Sequence, residues 1–142
     1  MKRVHILAVG RQKERELRRL CEEYYRRCSR RMRVEERELK EVAALRGALP
    51  ERGPLWVLDE RGRQHSSAEF AHLLGQWLEG AAPELTVVIG GAEGLDDATR
   101  GRADLLLSLG RMTFAHRLVR LLLAEQLYRA VSILDGAPYH RG

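Results

Sequence analysis

Cysteine is scarce in this chain, with only Cys21 and Cys28 among 142 residues. Seven positions apart in one helical pattern, they stand about 10 Å apart along the axis, out of disulfide reach. No further cysteine exists to build a disulfide framework or a thiolate metal cluster. That points to a reducing compartment and to two core-facing thiols. Lysine is nearly absent too: of 25 basic residues only Lys2, Lys13 and Lys40 are not arginine. Arginine forks suit phosphate, although the bias equally fits arginine-rich codon usage. No run nears the ~18 apolar residues that cross a bilayer, and the opening MKRVHILAVG is too short for the apolar core of a signal peptide. A cytoplasmic protein with no membrane partner is expected. The chain also lacks GxGxxG and GxxxxGK[ST], so neither the dinucleotide nor the P-loop motif applies. No Ser-His-Asp or Cys-His pairing, carboxylate pair or His/Cys metal set is apparent, which argues against triad or metal hydrolysis.

What is present describes a folded α/β domain. With 44% hydrophobic and 32% charged residues, the composition excludes a disordered tail, a collagen-like repeat and a membrane-embedded chain. The length suits a single domain, residues 1–142. The net charge of +5 is unevenly placed: residues 1–55 carry 16 Lys and Arg against 9 Asp and Glu, whereas the remainder is slightly acidic. A one-sided positive field attracts polyanions such as nucleic acid; a solvated helix face explains the same charges equally well.

Val4–Gly10 reads as a buried strand ending in a turn. From Glu14 to Arg31, Leu17, Leu20, Cys21, Tyr24, Tyr25 and Cys28 form the stripe of an amphipathic helix. Met32–Lys40 reads as a polar edge strand, and 41–53 as an ambiguous stretch holding a short helix. Leu55–Asp59 is a strong strand, with turn chemistry from Asp59 to Gly62. A helix capped by Ser66 or Ser67, with Glu69 in its first turn, runs to Gly80. Leu85–Ile89 is a third strong strand, Asp96 or Asp97 caps a short helix, and Asp104–Leu109 is a further strand. The last helix, His116–Leu134, is apolar around more than one side, which predicts packing on both the sheet and a second subunit. The alternation implies a largely parallel sheet of about five strands with helices on both faces. Ligands of such sheets bind beyond the carboxyl ends of the strands. Here those ends are Leu58-Asp59, the Gly90–Gly94 loop and the Gly110–Ala115 loop.

Glycines 90, 91 and 94 let backbone approach a ligand, although a tight turn needs them as much. In the next loop Gly110, Met112 and Phe114 can enclose a flat ring; an interface loop would look the same. The tail Pro138-Tyr139-His140-Arg141 joins an aromatic ring, a titratable imidazole and a guanidinium, groups that can stack on a base, move a proton and hold a phosphate. A merely packed tail is the plain alternative.

The blocks VHILAVG, LWVLDERG, VVIGGAEGL, LSLGRMTFAHRLVRLLLAEQLYRA and PYHRG, in that order across nearly the whole chain, resemble the RlmH family. These small SPOUT-class methyltransferases modify N3 of a pseudouridine in large-subunit (23S) ribosomal RNA. The resemblance implies a deep C-terminal trefoil knot, a homodimer, and S-adenosylmethionine held in the knot. Carried over position by position, it makes Leu58, Gly91, Gly110, Arg111, Met112, Thr113, Phe114 and Ala115 the cofactor-binding residues, with backbone groups reading the adenine. The family often has Pro where Ala92 and Ala115 stand here. The implied chemistry is direct methyl transfer to a deprotonated N3, without a metal. His140 is the candidate general base, with Tyr139 and Arg141 positioning the nucleotide. The basic N-terminal segment adds Arg26 and Arg30 as candidate RNA contacts, and two subunits would share the work, one holding cofactor while the other grips RNA within the ribosome. A non-catalytic RNA-binding or ribosome-assembly factor would show the basic face without a cofactor loop. A metabolic nucleotide enzyme would show the loop without the basic end.

Overall fold

The computed structural model describes residues 1–141 apart from the side chains of His140 and Arg141, so the expectations placed on those two side chains lie outside the described residues. The chain runs β1 (Lys2–Val9), α1 (Arg15–Arg27), β2 (Met32–Leu39), a 3₁₀ turn (Val42–Ala44), α2 (Leu45–Ala48), β3 (Leu55–Gln64), α3 (Ser67–Glu79), β4 (Glu84–Ile89), α4 (Asp97–Arg102), β5 (Leu105–Ser108), α5 (His116–Asp135) and a 3₁₀ turn (Pro138–Arg141). The strands make one sheet in the order β2-β1-β4-β3-β5. Every pairing is parallel, so all the carboxyl ends lie along one edge.

The period-two burial of the strands separates two cores. Val4, Ile6 and Ala8 of β1, Trp56 and Leu58 of β3, and Leu85, Val87 and Ile89 of β4 pack with α1, α3 and α5. Leu7, Val9, Leu55, Val57 and Val88 face the other side with Leu39 and Leu45. The edge strand β2 buries Met32 and Leu39 but shows water Arg33, Glu35 and Arg37, charges that discourage strand addition at the free edge. Cys21 and Cys28 sit in the first core. Burial pushes their thiols up to about 11 and about 12, which leaves them protonated and inert at neutral pH.

Two boundaries differ from the pattern. The amphipathic stripe runs to Arg31, yet α1 stops at Arg27 with Cys28 as its cap. A tight turn follows, in which Met32 N–H reaches the Cys28 carbonyl at 3.1 Å, because Met32 must enter β2. The second difference is larger. Asp59–Gly62, with its turn chemistry, does not end β3. Leu58 and Arg63 both pair with Leu107, so these four residues bulge out and the strand resumes beyond them. Gly62 is required there: a Cβ on it would lie 2.6 Å from the Leu106 carbonyl carbon.

Helix ends follow the capping chemistry. Ser66 and Glu69 form a reciprocal capping box on α3, and the Asp96 side chain caps α4 at Thr99. Gly136 closes α5 in a left-handed conformation. The broad apolar girth of α5 finds its covers inside the chain, since the helix lies against both α1 and α3. Only its first turn keeps an exposed large hydrophobic, Leu118, at 38%. No helix among the described residues is long and apolar enough to cross a membrane.

The start of α5 is pinned to the sheet by Arg120, 2% exposed. Its guanidinium donates to Glu38 Oε2 at 2.5 Å and to the Gly10 carbonyl at 2.6 Å, and Gln12 N–H donates to the same Glu38 oxygen at 2.6 Å. Burial pushes the Glu38 carboxyl up, but the Gln12 amide, Arg120 and Arg18 outweigh it and hold it below its ordinary value of 4.5. A depressed folded value means the stabilisation is complete above pH 4.5 and is lost as pH falls through the lower value in the fold. Glu38→Gln should therefore flatten the acid limb of stability, read as urea midpoint against pH; an acid limb identical to that of the parent would contradict this role.

Candidate active site

The carboxyl ends of β4 and β5 and the bulge within β3 converge on one crevice of about 560 Å³, a size that suits a small ligand. One wall is Leu58 with the bulge Asp59–Arg61. The second is Ile89 with the loop Gly90–Leu95, and the third is Leu107–Ala115 without Arg111, running into His116 and Val119 of α5. The lining joins apolar residues such as Leu58, Ile89, Leu107 and Val119 with charged and polar ones such as Asp59, Arg61 and Arg100.

The loop after β4 is compact because glycine permits it. Gly94 N–H bonds the Gly91 carbonyl at 3.0 Å, and a Cβ on Gly91 would stand 3.1 Å from the Val9 carbonyl oxygen at the end of β1. Arg100 holds this loop to the bulge. Its Nη1 donates to the Leu95 carbonyl at 2.5 Å and to Asp59 Oδ2 at 3.3 Å, while Nη2 pairs with Asp97. Hydrogen bonding to Arg100 holds the Asp97 carboxyl below the usual carboxylate range. The third wall is set by Ser108, whose hydroxyl donates to the Gly110 carbonyl at 3.0 Å and accepts from Gly110 N–H at 3.2 Å.

Of the positions nominated from sequence, Leu58, Gly91, Gly110, Met112, Thr113, Phe114 and Ala115 all line the crevice. Arg111 does not; it is exposed beside it. The nominated RNA contacts lie elsewhere in the chain. Arg26 pairs with Glu23 at 2.9 Å on the outer face of α1, and Arg30 is exposed beyond that helix. Tyr139 is held by the middle of α5: its hydroxyl donates to Glu125 Oε2 at 3.1 Å, and its ring meets Tyr128 edge-on at 4.7 Å. Burial, with hydrogen bonds to Tyr24 and Glu125, pushes its phenol up. Glu125 stands nine residues after His116 and six after Val119, about 9 Å down the helix from the last crevice residue. The sequence pattern placed Asp59 beside the site but missed Arg100 and Ser108, whose partnerships exist only once strands and loops meet.

Comparison with known proteins fits this geometry. The family model described as "Predicted SPOUT methyltransferase" matches residues 1–140. "Ribosomal RNA large subunit methyltransferase H" of Roseobacter denitrificans is 47% identical, over 98% of this chain and 99% of that one. The chain belongs to the SPOUT methyltransferases, in the large subunit methyltransferase H family. The Ruegeria pomeroyi member of the same name is 44% identical over the same shares of both chains. Among solved structures, a probable methyltransferase from Bordetella pertussis Tohama I aligns with a TM-score of 0.59 at 14% identity, covering 92% of this chain and 95% of that one. A probable methylase family protein from Haemophilus influenzae aligns at 0.57 and 9% identity, over 96% of this chain and 69% of that one. Both share the SPOUT methyltransferase fold with it.

In this SPOUT methyltransferase the Arg100 contacts are the main tie between β3, the Gly90–Leu95 loop and α4. Arg100→Ala should leave the sheet folded while the amides of residues 90–97 exchange severalfold faster. Unchanged exchange in that loop would remove Arg100 from its support.

Proposed function

We propose that this chain moves the methyl group of S-adenosylmethionine to N3 of a pseudouridine in 23S ribosomal RNA, with the donor held in the crevice at the carboxyl edge of the sheet. The observation that carries the reading is the convergence of Leu58, Gly91 and the 110–115 loop on that one crevice, three segments that share no local pattern. The site fits the donor in kind as well as size. Leu58, Ile89, Leu107 and Val119 offer apolar surface to a flat ring, and the loops after β4 and β5 offer backbone groups to its polar edge.

When bound, S-adenosylmethionine supplies an activated methyl carbon. The residues of this chain then orient, exclude water and move a proton. N3 of the target must shed its proton as the new C–N bond forms, and His140 is the group assigned to take it. Tyr139 and Arg141 position the nucleotide, and Arg26 and Arg30 contribute to RNA docking. Since Tyr139 packs against Glu125, about 9 Å down α5 from the last crevice residue of its own chain, the tail that completes a crevice is assigned to a second copy. Support for the homodimer comes from Leu109, Met112, Phe114 and Leu118, exposed together at the crevice mouth and the start of α5. In the same reading residues 1–142 act as one domain. The link from β5 to α5, packed against the β3 bulge and the loop after β4, is part of a deep trefoil knot.

The decisive experiment is transfer of labelled methyl to ribosomes lacking the modification, with mapping of the labelled nucleotide. One labelled pseudouridine is expected. Ribosome binding with no donor binding in calorimetry would instead identify a non-catalytic RNA-binding or assembly factor.

The shared site gives a second test. His140→Ala should lower turnover at saturating RNA by about a hundredfold or more while donor affinity persists, and Gly91→Val should abolish donor binding. Mixing the two inactive proteins should restore activity, because one crevice of each mixed dimer then has an intact cradle and an intact partner tail. Undiminished turnover by His140→Ala would remove it from the mechanism, and a dead mixture would place cradle and tail in one chain.

A further inference from the structure

A cluster of basic side chains lies at the corner between β1 and α1, outside the crevice. Arg11, Lys13, Arg15 and Arg18 line a hollow of about 260 Å³ together with Gln12, and no carboxylate lines it. Among the described residues, no carboxylate pairs with Arg11, Lys13 or Arg15, while Arg18 lies 3.8 Å from Glu38. The nearby acids are engaged: Glu14 bonds Arg117 at 2.6 Å and Glu38 bonds Arg120 at 2.5 Å. Glu16, in the first turn of α1, is exposed and does not line the hollow.

The corner is rigidly built. Gln12 is 4% exposed. Its amide N–H reaches Glu38, its side-chain amide donates to the Arg117 carbonyl at 3.2 Å, and its carbonyl accepts from Arg18 Nη2 at 2.6 Å. With Gln12 turned inward, its neighbours Arg11 and Lys13 are both exposed. Arg18 helps to build the corner, but Arg11, Lys13 and Arg15, held there without a carboxylate partner, repel one another. An anion that fills the hollow would relieve that repulsion, and arginine forks match phosphate oxygens in particular.

Position decides which anion. The corner adjoins the crevice by two routes: Val9, which ends β1, lies where a Cβ on Gly91 would stand 3.1 Å from its carbonyl oxygen, and Arg117, bonded to Gln12, directly follows His116 of the crevice wall. Arg26 and Arg30 lie toward the far end of α1, about 16 Å or more along the helix from Arg15. A polynucleotide whose base enters the crevice has its flanking phosphates within reach of the corner, not of the far end of the helix.

We propose that Arg11, Lys13, Arg15 and Arg18 form a phosphate-gripping surface that holds the backbone of the RNA strand beside the nucleotide presented to the crevice. This rests on the reading of the protein as an RNA methyltransferase, and it moves the principal electrostatic contact from the outer face of α1 to the β1–α1 corner.

The test is the salt dependence of binding to purified ribosomes lacking the modification, for the parent protein, the triple variant R11A/K13A/R15A, the conservative variant R11K/R15K and the double variant R26A/R30A. Each phosphate contact contributes about 0.9 to the slope of log affinity against log salt. The triple variant should lose about 2 to 3 from that slope and at least roughly tenfold in affinity. R11K/R15K should keep most of the slope, and calorimetry with S-adenosylmethionine should give the parent value for the triple variant, which also reports its folding. A triple variant with the parent slope, or a slope lost only in R26A/R30A, overturns the assignment. Methyl transfer to the same ribosomes separates the two readings. A parent that binds steeply but transfers no methyl sinks the enzymatic reading and leaves the corner standing. A parent that transfers methyl beside a triple variant of unchanged slope does the reverse.

Discussion

Arg120 is the point on which this structure turns. It is carried by the first half of α5, almost fully buried, and it bonds both the Gly10 carbonyl at the end of β1 and Glu38 near the end of β2. Removing one partner of a buried charge pair leaves an uncompensated charge, a loss of about 3 to 5 kcal/mol in closed sites. Here Glu38 keeps a water-facing side, 31% exposed, which puts the cost toward the lower figure. Its effect reaches beyond stability. With α5 fixed at this height, His116 and Val119 reach the crevice, and the Gln12 turn is locked under the basic corner.

Parallel strand pairing does the remainder of the positioning. Because all five strands point the same way, every loop that follows a strand opens at one edge. The loops after β4 and β5 and the bulge in β3 share that edge with the β1–α1 corner. The crevice and the basic corner are thus neighbours by topology, not by sequence distance. Arg100 and Ser108 then remove the freedom such loops otherwise have. Arg100 joins two walls by hydrogen bonds to Leu95 and Asp59, and Ser108 fixes the first residues of the third.

The tail illustrates why a motif and a site are different things. Tyr139-His140-Arg141 follows α5 directly, yet the Tyr139 ring folds back on Tyr128 and its hydroxyl reaches Glu125. The crevice lies at the other end of the helix. Nearness in sequence to the end of α5 therefore does not bring Tyr139 into the crevice of its own chain.

The sequence by itself determined the order of strands and helices, the helix faces and, to within a residue, the caps at Ser66 and Asp96, because periodicity and capping are set by neighbours within a few residues. It also carried most of the crevice, because blocks such as VVIGGAEGL and LSLGRMTFAH are contiguous and keep their residues together in space. Other features depended on contacts between residues far apart in the chain. The bulge at Asp59–Gly62 forms because β5 pairs with β3 on both sides of it, which turn chemistry alone could not foresee. The ties from Arg100 to Asp59 and from Arg120 to Glu38 join positions 41 and 82 residues apart. Only the tertiary structure decided those partnerships, since a charged side chain pairs with whichever opposite charge folding brings within a few ångströms.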